Sequence, residues 1–533
     1  MDENIAAYSN SSRRRFRIVV PAFSAFNVYS KIACRTTAIG PVCIGTVVNK
    51  LPNWDVEIID ENNYQRGAPR GEDGMPDHAA LQEMRHADVV GFYGGLSSTA
   101  PRIYDVAKAY KAMGAETIAG GQHFIGENIE EGLNSGLDVI VIGEGEQSIV
   151  ECLEDMTAKK SLEAIAGIAY LVDGKAHLTE ERPPIEDFED LPIPDFSLVR
   201  YAKISLYPIS RVRGCGMNCE FCAVKGKPRH ASAERALEQF MSAYERWGAD
   251  FFFIVDDLFG QDRTQALRLC TLLKEYQDKI GKSFFITAQI RLDKAHDTEL
   301  LAAMRDAGIQ VVCIGYESPI PEELKAMNKC LKPEDMIQMT HVFHRFHFLV
   351  HGMFIFGYPM RKGEDFNLSA QGRIKYFREF IRKAKIDTIQ VLLPVPLPGT
   401  EMTARLKEEG RLFSREKIGW EYYDGNFPLF IPDTPMTPES MLWSVRRIMS
   451  NFYRFDMMFS VGFYTLSFPM IVFHMHKLRN GWFRWYKSWR NSVIRFGGWM
   501  TMRNWMEQFE KGGFMEKLSS AVKEKEEGQK SVH

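Results

Sequence analysis

Cys215, Cys219 and Cys222 stand at C-x3-C-x2-C spacing in residues 211–229, RVRGCGMNCEFCAVKGKPR, a glycine-bearing loop that follows an apolar run. Three thiolates on so short a loop can hold one iron-sulfur cube. A cubane has four irons, so three cysteines leave one iron open to an exchangeable ligand. A simple electron-transfer cluster would want a fourth cysteine close by, and the next, Cys270, is far downstream in a stretch that reads as helix. A zinc knuckle is the competing reading. It wants a second C-x2-C or a Cys/His pair at close range, and His230 is the only candidate.

The elements that position this loop are α/β in class. From Phe16, strands at 16–22, 56–60, 88–94, 116–121 and 138–146 alternate with helices at 40–51, 78–85 and 100–113 and a closing helix from Glu146. Such alternation predicts a parallel, doubly wound sheet that binds ligands beyond the carboxyl ends of its strands. Those ends run into Gly/Ser-rich turns holding Ser97, Ser98, Thr99, Gly120, Gly121, Gly143 and Glu144. After Leu206 six strand–helix repeats follow, with strands at 206–212, 250–255, 283–288, 310–315, 352–357 and 388–393, which predicts an open, partial (βα)6 barrel. Asp256 and Asp257, Gln289 and Arg291, Glu317, and Gly357 fall at the ends of its second to fifth strands. Around these two domains (16–155 and 201–400) the expected divisions are a flexible basic tail (1–15), an extended Pro- and acid-rich linker (156–200), a helical Trp-rich region (401–515) and a disordered tail (516–533).

The cysteine loop resembles the signature of the radical S-adenosylmethionine (SAM) superfamily, down to the aromatic Phe221 before the last cysteine. The resemblance implies a [4Fe-4S] cluster whose open iron chelates SAM, and one-electron cleavage of SAM to methionine and a 5′-deoxyadenosyl radical. It also implies an electron donor such as flavodoxin or ferredoxin. By the same resemblance Phe221 belongs to the SAM site, Asp256 and Asp257 take the SAM amino group, Gln289 and Arg291 its carboxylate, Glu317 the ribose and Gly357 the adenine. The turns GLSSTAPR (95–102), GGQH (120–123) and GEGE (143–146) resemble the cobalamin-binding domain that precedes many radical SAM domains. That assigns Ser97, Ser98, Thr99, Gly120, Gly121, Gly143 and Glu144 to cobalamin. The D-x-H-x-x-G motif of classical cobalamin domains is absent after the first strand, which reads PAFSAFNVYS, so no histidine is expected beneath the cobalt; His123, in GQHFIG, follows the fourth strand.

Composition narrows the partners. The 533 residues are 45% hydrophobic and 25% charged with a net charge of -3, which argues against nucleic-acid binding driven by overall charge. Nine cysteines without regular pairing and no N-terminal signal peptide predict a reducing, cytoplasmic setting. Residues 457–475 lack Asp, Glu, Lys and Arg, and the following stretch interleaves Trp with Arg and Lys. That pattern suits either an element lying at a membrane interface or a Trp-rich cap, with Trp420, Tyr422 and Tyr423 overhanging the barrel mouth. His341, His344, His347 and His351 are weighed as a second metal site and set aside, because the strand run FLVHGMFIF breaks their helical spacing.

The expected function is a cobalamin-dependent radical SAM enzyme, a C-methyltransferase acting on a hydrophobic lipid or tetrapyrrole-like substrate. Two alternatives stand beside it: a coupling, cyclising or oxidative radical SAM enzyme without methyl transfer, and a non-enzymatic iron-sulfur carrier or membrane-associated scaffold.

Overall fold

In the first strand, β1 (Arg14–Val20), the apolar run RIVV carries a charged residue inward: Arg17 is wholly buried, opposite an equally buried Glu57 on β2 (Trp54–Asp60). This computed structural model describes residues 13–27, 30–65, 67–158, 161–329, 331–363, 366–474 and 479–530. The chain divides into two units. The first holds residues up to Ser24, Ile32–Arg211 and Arg229–Phe252, and the second holds Ala25–Lys31, Val212–Pro228 and everything from Phe253.

The first unit contains an eight-stranded sheet. With β3 (Val89–Tyr93), β4 (Glu116–Gly120), β5 (Val139–Val141), β6 (Ile168–Val172), β7 (Lys175–Leu178) and β8 (Val199–Arg200), its order is β7-β6-β5-β4-β3-β1-β2-β8. Strands β1 to β5 and β8 pair in parallel, and β6 and β7 add antiparallel at one edge. Near-continuous buried Val and Ile in β1 to β5 reflect a sheet covered on both faces. The helices between the strands are α1 (Ser30–Ala33), α2 (Ile39–Val48), α3 (His78–Met84), α4 (Ala100–Ala112), α5 (Glu127–Asn134) and α6 (Gly145–Ala158).

Three expectations are corrected here. Residues 156–200 are not a plain connector: they supply β6, β7 and β8, and Phe196 packs edge-on against Tyr207 and Trp247. The prolines and acids do punctuate that stretch, but short edge strands need only a few apolar residues between them. Arg14 and Arg15, placed in the N-terminal tail, are sheet residues, with Arg15 Nε 2.7 Å from Asp55; residues 1–12 lie outside the described residues. The C-terminal stretch expected to be disordered forms a helix that buries Leu518 and Ala521. Its i, i+3 apolar pair is brief and hidden among lysines and glutamates.

The later strands are β9 (Tyr207–Ile209), the two-residue β10 (Val212–Arg213) and β11 (Arg229–His230), β12 (Phe251–Phe259), β13 (Phe285–Ile290), β14 (Ile309–Glu317), β15 (Leu349–Ile355) and β16 (Thr388–Leu392). A six-stranded sheet runs β16-β15-β14-β13-β12-β9, and β13 to β16 register in parallel. Its crossovers are helical, from α7 (Ala233–Trp247), α8 (Arg263–Ile280), α9 (Thr298–Asp306), α10 (Pro321–Ala326) and α11 (Pro333–Arg345) to α12 (Ala370–Ala384). Gly248 and Gly281 end α7 and α8 in left-handed C-caps, which terminates each helix just before its strand. The remainder is helical: α13 (Glu401–Glu408), α14 (Arg415–Ile418), α15 (Pro438–Phe452), α16 (Met457–His474), α17 (Arg479–Lys511) and α18 (Phe514–Lys530).

Candidate active site

The cysteine loop lies between β10 and β11. Gly214 sits at φ +85°, and a Cβ there would meet the Lys227 carbonyl oxygen at 2.9 Å, so the loop can close on itself only with glycine at this position. Cys215, Cys219 and Cys222 are half-buried and unpaired. Burial pushes all three thiols up from the ordinary cysteine value, while Arg291 beside Cys215, and Lys329 and Lys225 beside Cys219, pull the other way. The loop is pinned by Gln261, which donates to the Cys215 carbonyl at 2.8 Å, and by Lys225, which donates to that of Cys219 at 3.0 Å. Among the described residues no three His, Cys, Asp or Glu side chains converge on a single ion. Three thiolates on separate irons of one cube need no such convergence, so the donor set fits a [4Fe-4S] cluster with one open iron.

The strand ends surround these thiols unequally. Asp256 and Asp257 alternate across β12. Asp256 is buried and accepts the Val212 N–H at 2.9 Å, whereas Asp257 accepts the Gly214 N–H at 3.0 Å and its charge acts on Cys215 and Cys222. Burial raises the Asp257 carboxyl. The Gly214 N–H opposes that shift. The expectation that both aspartates meet one ligand group gives way to a division: Asp257 faces the cluster loop and Asp256 tethers its base. Gln289 donates to the Asp257 carbonyl at 3.2 Å. Arg291 spends two nitrogens on Asp293, at 3.1 and 2.6 Å, and a third on the Met217 sulfur. Glu317 ends β14 at φ +62°, a region rarely occupied by a side-chain-bearing residue, and pairs with Lys329 at 2.6 Å. Its charge also acts on Cys219. Gly357 follows β15 at φ +75°, where a Cβ would meet Met441 Cε at 3.0 Å.

Sequence reasoning missed a clamp behind the loop. Glu220, between the second and third cysteines, is buried; it accepts from Tyr358 Oη at 2.6 Å and from Arg405 Nε and Nη2 at 2.8 and 3.1 Å. Its backbone N–H donates to Met327 O and its carbonyl accepts from Met402 N. Tyr358 also meets Phe221 edge-on, with ring centroids 6.1 Å apart. The available signal was a lone carboxylate inside a loop otherwise rich in glycine and cysteine. Replacing Glu220 with alanine takes the main counter-charge from the half-buried Arg405, which keeps Glu409 and the Met360 and Pro359 carbonyls, a loss of roughly 1–3 kcal/mol. We expect Glu220→Ala to hold substantially less iron after reconstitution than wild type, measured as iron per chain. Equal iron content would show that the clamp is dispensable.

In the first unit, a cavity of about 200 Å³ opens at the carboxyl ends of β1, β2 and β3, lined by Val20, Pro21, Thr37, Asp60, Tyr93 and Thr99 among others. The core order β5-β4-β3-β1-β2 reverses direction here, the place where doubly wound sheets take their ligands. Ser97, Ser98 and Thr99 form a buried 3₁₀ turn that leads into α4, and Ser98 Oγ has no hydrogen-bond partner among the described residues. Gly121, at φ +124°, lets β4's turn approach the Gly94 backbone, where a Cβ would come within 2.6 Å. Gly120 accepts from Gly94 N, and Gly143 adopts φ +78° after β5.

The cavity has room for a small ligand tail, such as the nucleotide end of cobalamin, with Asn62 and Thr99 as polar side chains in its wall; the buried Ser98 does not line it. Two candidates are otherwise engaged. Glu144 gives both oxygens to Arg229, at 2.9 and 2.8 Å, and accepts Ile185 N at 2.7 Å, so it anchors the chain rather than a cofactor. His123 is buried, with Nδ1 3.1 Å from Ser97 Oγ and Nε2 3.0 Å from Tyr104 Oη. Neither nitrogen is left for cobalt. The decoy histidines are also engaged: His341 meets the Lys383 carbonyl at 2.9 Å, His344 is 3.0 Å from Asp387 and His351 2.8 Å from Thr388.

Asp60, in the wall of the cavity, is pushed up to about 6 by burial, opposed by hydrogen bonds that include those from Asn62. A carboxyl raised on folding favours the protonated fold. Its contribution is therefore complete below the ordinary aspartate value and is lost as pH rises through about 6. Asp60→Asn should accordingly be more stable than wild type at pH 7, by up to roughly 3 kcal/mol, and should lose the fall in stability between about pH 4 and 6. Denaturant midpoints of the cofactor-free protein at both pH values measure it. A wild type whose stability rises across that window contradicts the assignment.

Comparison with known proteins agrees with this geometry. The Radical SAM superfamily model matches residues 209–371. An uncharacterised methyltransferase of Pyrococcus horikoshii is 27% identical over 324 residues, covering 58% of this chain and 68% of that protein. The bacteriochlorophyllide d C-12(1)-methyltransferase of Chlorobaculum tepidum is 24% identical over 445 residues, covering 81% of this chain and 85% of its own. The fold matches the cobalamin-dependent SAM radical enzyme OxsB, solved with aqua-cobalamin and SAM bound, with TM-score 0.63 at 15% identity over 96% of this chain and 80% of that one. With three thiols at the signature spacing inside the matched span, and strand-end side chains gathered about them, residues 209–371 are a radical SAM domain.

Proposed function

We propose that this enzyme is a cobalamin-dependent C-methyltransferase acting on an unactivated carbon of a hydrophobic, lipid or tetrapyrrole-like molecule. The observation that carries the cobalamin reading is the cavity at the carboxyl ends of β1, β2 and β3, where the strand order of the sheet reverses. The methyl-transfer reading is supported by relatives described as methyltransferases. When bound, a reduced cluster would supply the electron that cleaves SAM, and cobalamin would carry a methyl group drawn from a second SAM.

The chain's own residues supply the setting. Cys215, Cys219 and Cys222 would hold three irons of the cluster. Asp257, Gln289 and Arg291 are the groups for the amino and carboxylate ends of SAM, with Arg291 exchanging Asp293 for the incoming carboxylate, since a guanidinium fork fits either. Glu317, held by Lys329, offers acceptors for ribose hydroxyls, and Phe221 and the backbone at Gly357 form the remaining contacts. His123 would not serve as a cobalt ligand, because its two ring nitrogens meet Ser97 and Tyr104. A small flavin or iron-sulfur protein is the electron donor.

The test is anaerobic turnover of the reconstituted enzyme with methyl-labelled SAM and candidate apolar substrates. A product heavier by one labelled CH2 supports the proposal. Competent turnover with SAM cleavage but no labelled carbon in the product would select the coupling, cyclising or oxidative alternative. Failure to retain cobalamin after supplementation would remove the cobalamin reading in one step.

A further inference from the structure

Apolar side chains on the surface are unevenly distributed. Of the 18 exposed large hydrophobic residues among those described, eight fall between Phe455 and Met500. Phe455, Phe459, Phe463 and Leu466 recur at three- and four-residue intervals, so they form one stripe along α16 and the turn before it. They are 44, 67, 69 and 82% exposed, so the stripe faces away from its own unit. The neighbouring helix α17 adds Val493 and Met500, seven residues apart.

The hairpin is held together from within. Trp485 Nε1 donates to the Tyr464 carbonyl at 3.0 Å and Trp489 Nε1 donates to Thr465 Oγ1 at 3.1 Å. Asn491 on α17 donates to the buried Asp387 at 2.9 Å, which ties the hairpin to the start of β16. The outer apolar face is thus a fixed surface rather than a frayed end.

Charge identifies what covers it. Residues 457–506 contain seven Lys or Arg and not one Asp or Glu, in a chain whose net charge is -3, and five of its nine tryptophans. An apolar stripe within a segment rich in cations and tryptophan has the composition of a helix lying in the plane of an anionic bilayer. A second copy docked face to face would bring two such cationic segments together, which like-charge repulsion disfavours. A nucleic acid would use the cations and leave the stripe wet. No helix among the described residues is long and apolar enough to cross a membrane, so the hairpin would lie on the surface.

We propose that the α16–α17 hairpin docks this enzyme on anionic lipid bilayers, with Phe459, Phe463 and Leu466 inserted among the acyl chains. The test is sedimentation of the full-length protein with vesicles of phosphatidylcholine alone or mixed with phosphatidylglycerol, at low and high salt. Binding should need the anionic lipid and should weaken several-fold on going to high salt. The variant Phe459→Ser/Phe463→Ser/Leu466→Ser should partition at least tenfold more weakly. Because all three side chains are exposed, it should keep wild-type circular dichroism and cluster absorbance. Overturning results are no sedimentation of wild type with anionic vesicles at low salt, undiminished binding by the triple variant, or a wild-type dimer that the triple variant turns into a monomer. The readout does not involve turnover, so it stands or falls apart from the proposed reaction.

Discussion

Cys219→Ala will purify as a folded protein without the brown absorbance of an iron-sulfur cluster and will not cleave SAM. The thiol is half-buried, so its loss costs little packing, whereas a cube held at two corners exposes a second iron to exchange and oxidation. Reductive SAM cleavage, read as 5′-deoxyadenosine, should drop below detection, because the electron has no other route. Treating the wild type with an iron chelator should reproduce the effect without mutation. Cys270→Ala is the control: Cys270 is buried on α8 and should leave cluster absorbance intact. A Cys219→Ala protein with full absorbance and activity would reject the ligand assignment.

Glu57→Gln is the largest expected loss of stability. The Glu57 carboxylate accepts from Arg17 Nε at 2.7 Å and from Arg85 Nε at 2.7 Å. Arg17 is wholly enclosed, bonded also to Tyr110 Oη and the Leu81 carbonyl. Taking away the carboxylate leaves a guanidinium in the sheet with its main counter-charge gone, at a cost of about 3–5 kcal/mol. Replacing both residues together, as Arg17→Met with Glu57→Leu, should recover much of that loss, since two charges were desolvated to form the pair. Urea midpoints followed by circular dichroism distinguish the cases. A Glu57→Gln protein within 1 kcal/mol of wild type would mean that water or another partner screens Arg17.

The buried pair shows how far pattern reading reaches. An arginine in FRIVVPA is invisible as a core residue, because hydrophobic periodicity scores it as a break. Only β2 registered beside β1 supplies the Glu57 that lets it be buried. Trp420, Tyr422 and Tyr423, expected to overhang the barrel mouth, are likewise buried: Tyr422 donates to the Gly512 carbonyl at 2.8 Å and packs on Phe26, Phe427 and Phe514. Phe26, Gly512 and Phe514 are distant in sequence, and no local spacing points to them.

By itself the sequence determined the two parallel-sheet domains and brought together three cysteines as candidate cluster ligands. Strand and helix periods are local, and three cysteines within eight residues need no tertiary fold to be brought together. Only the tertiary structure decided which of Asp256 and Asp257 turns toward the thiols. It also decided that Glu144 is an anchor, that His123 is occupied, and that Glu220 is clamped by Arg405. Each of these depends on which side chains meet across long separations in the chain, and alternation along a strand or spacing around a helix says only which face a residue occupies, not what waits there.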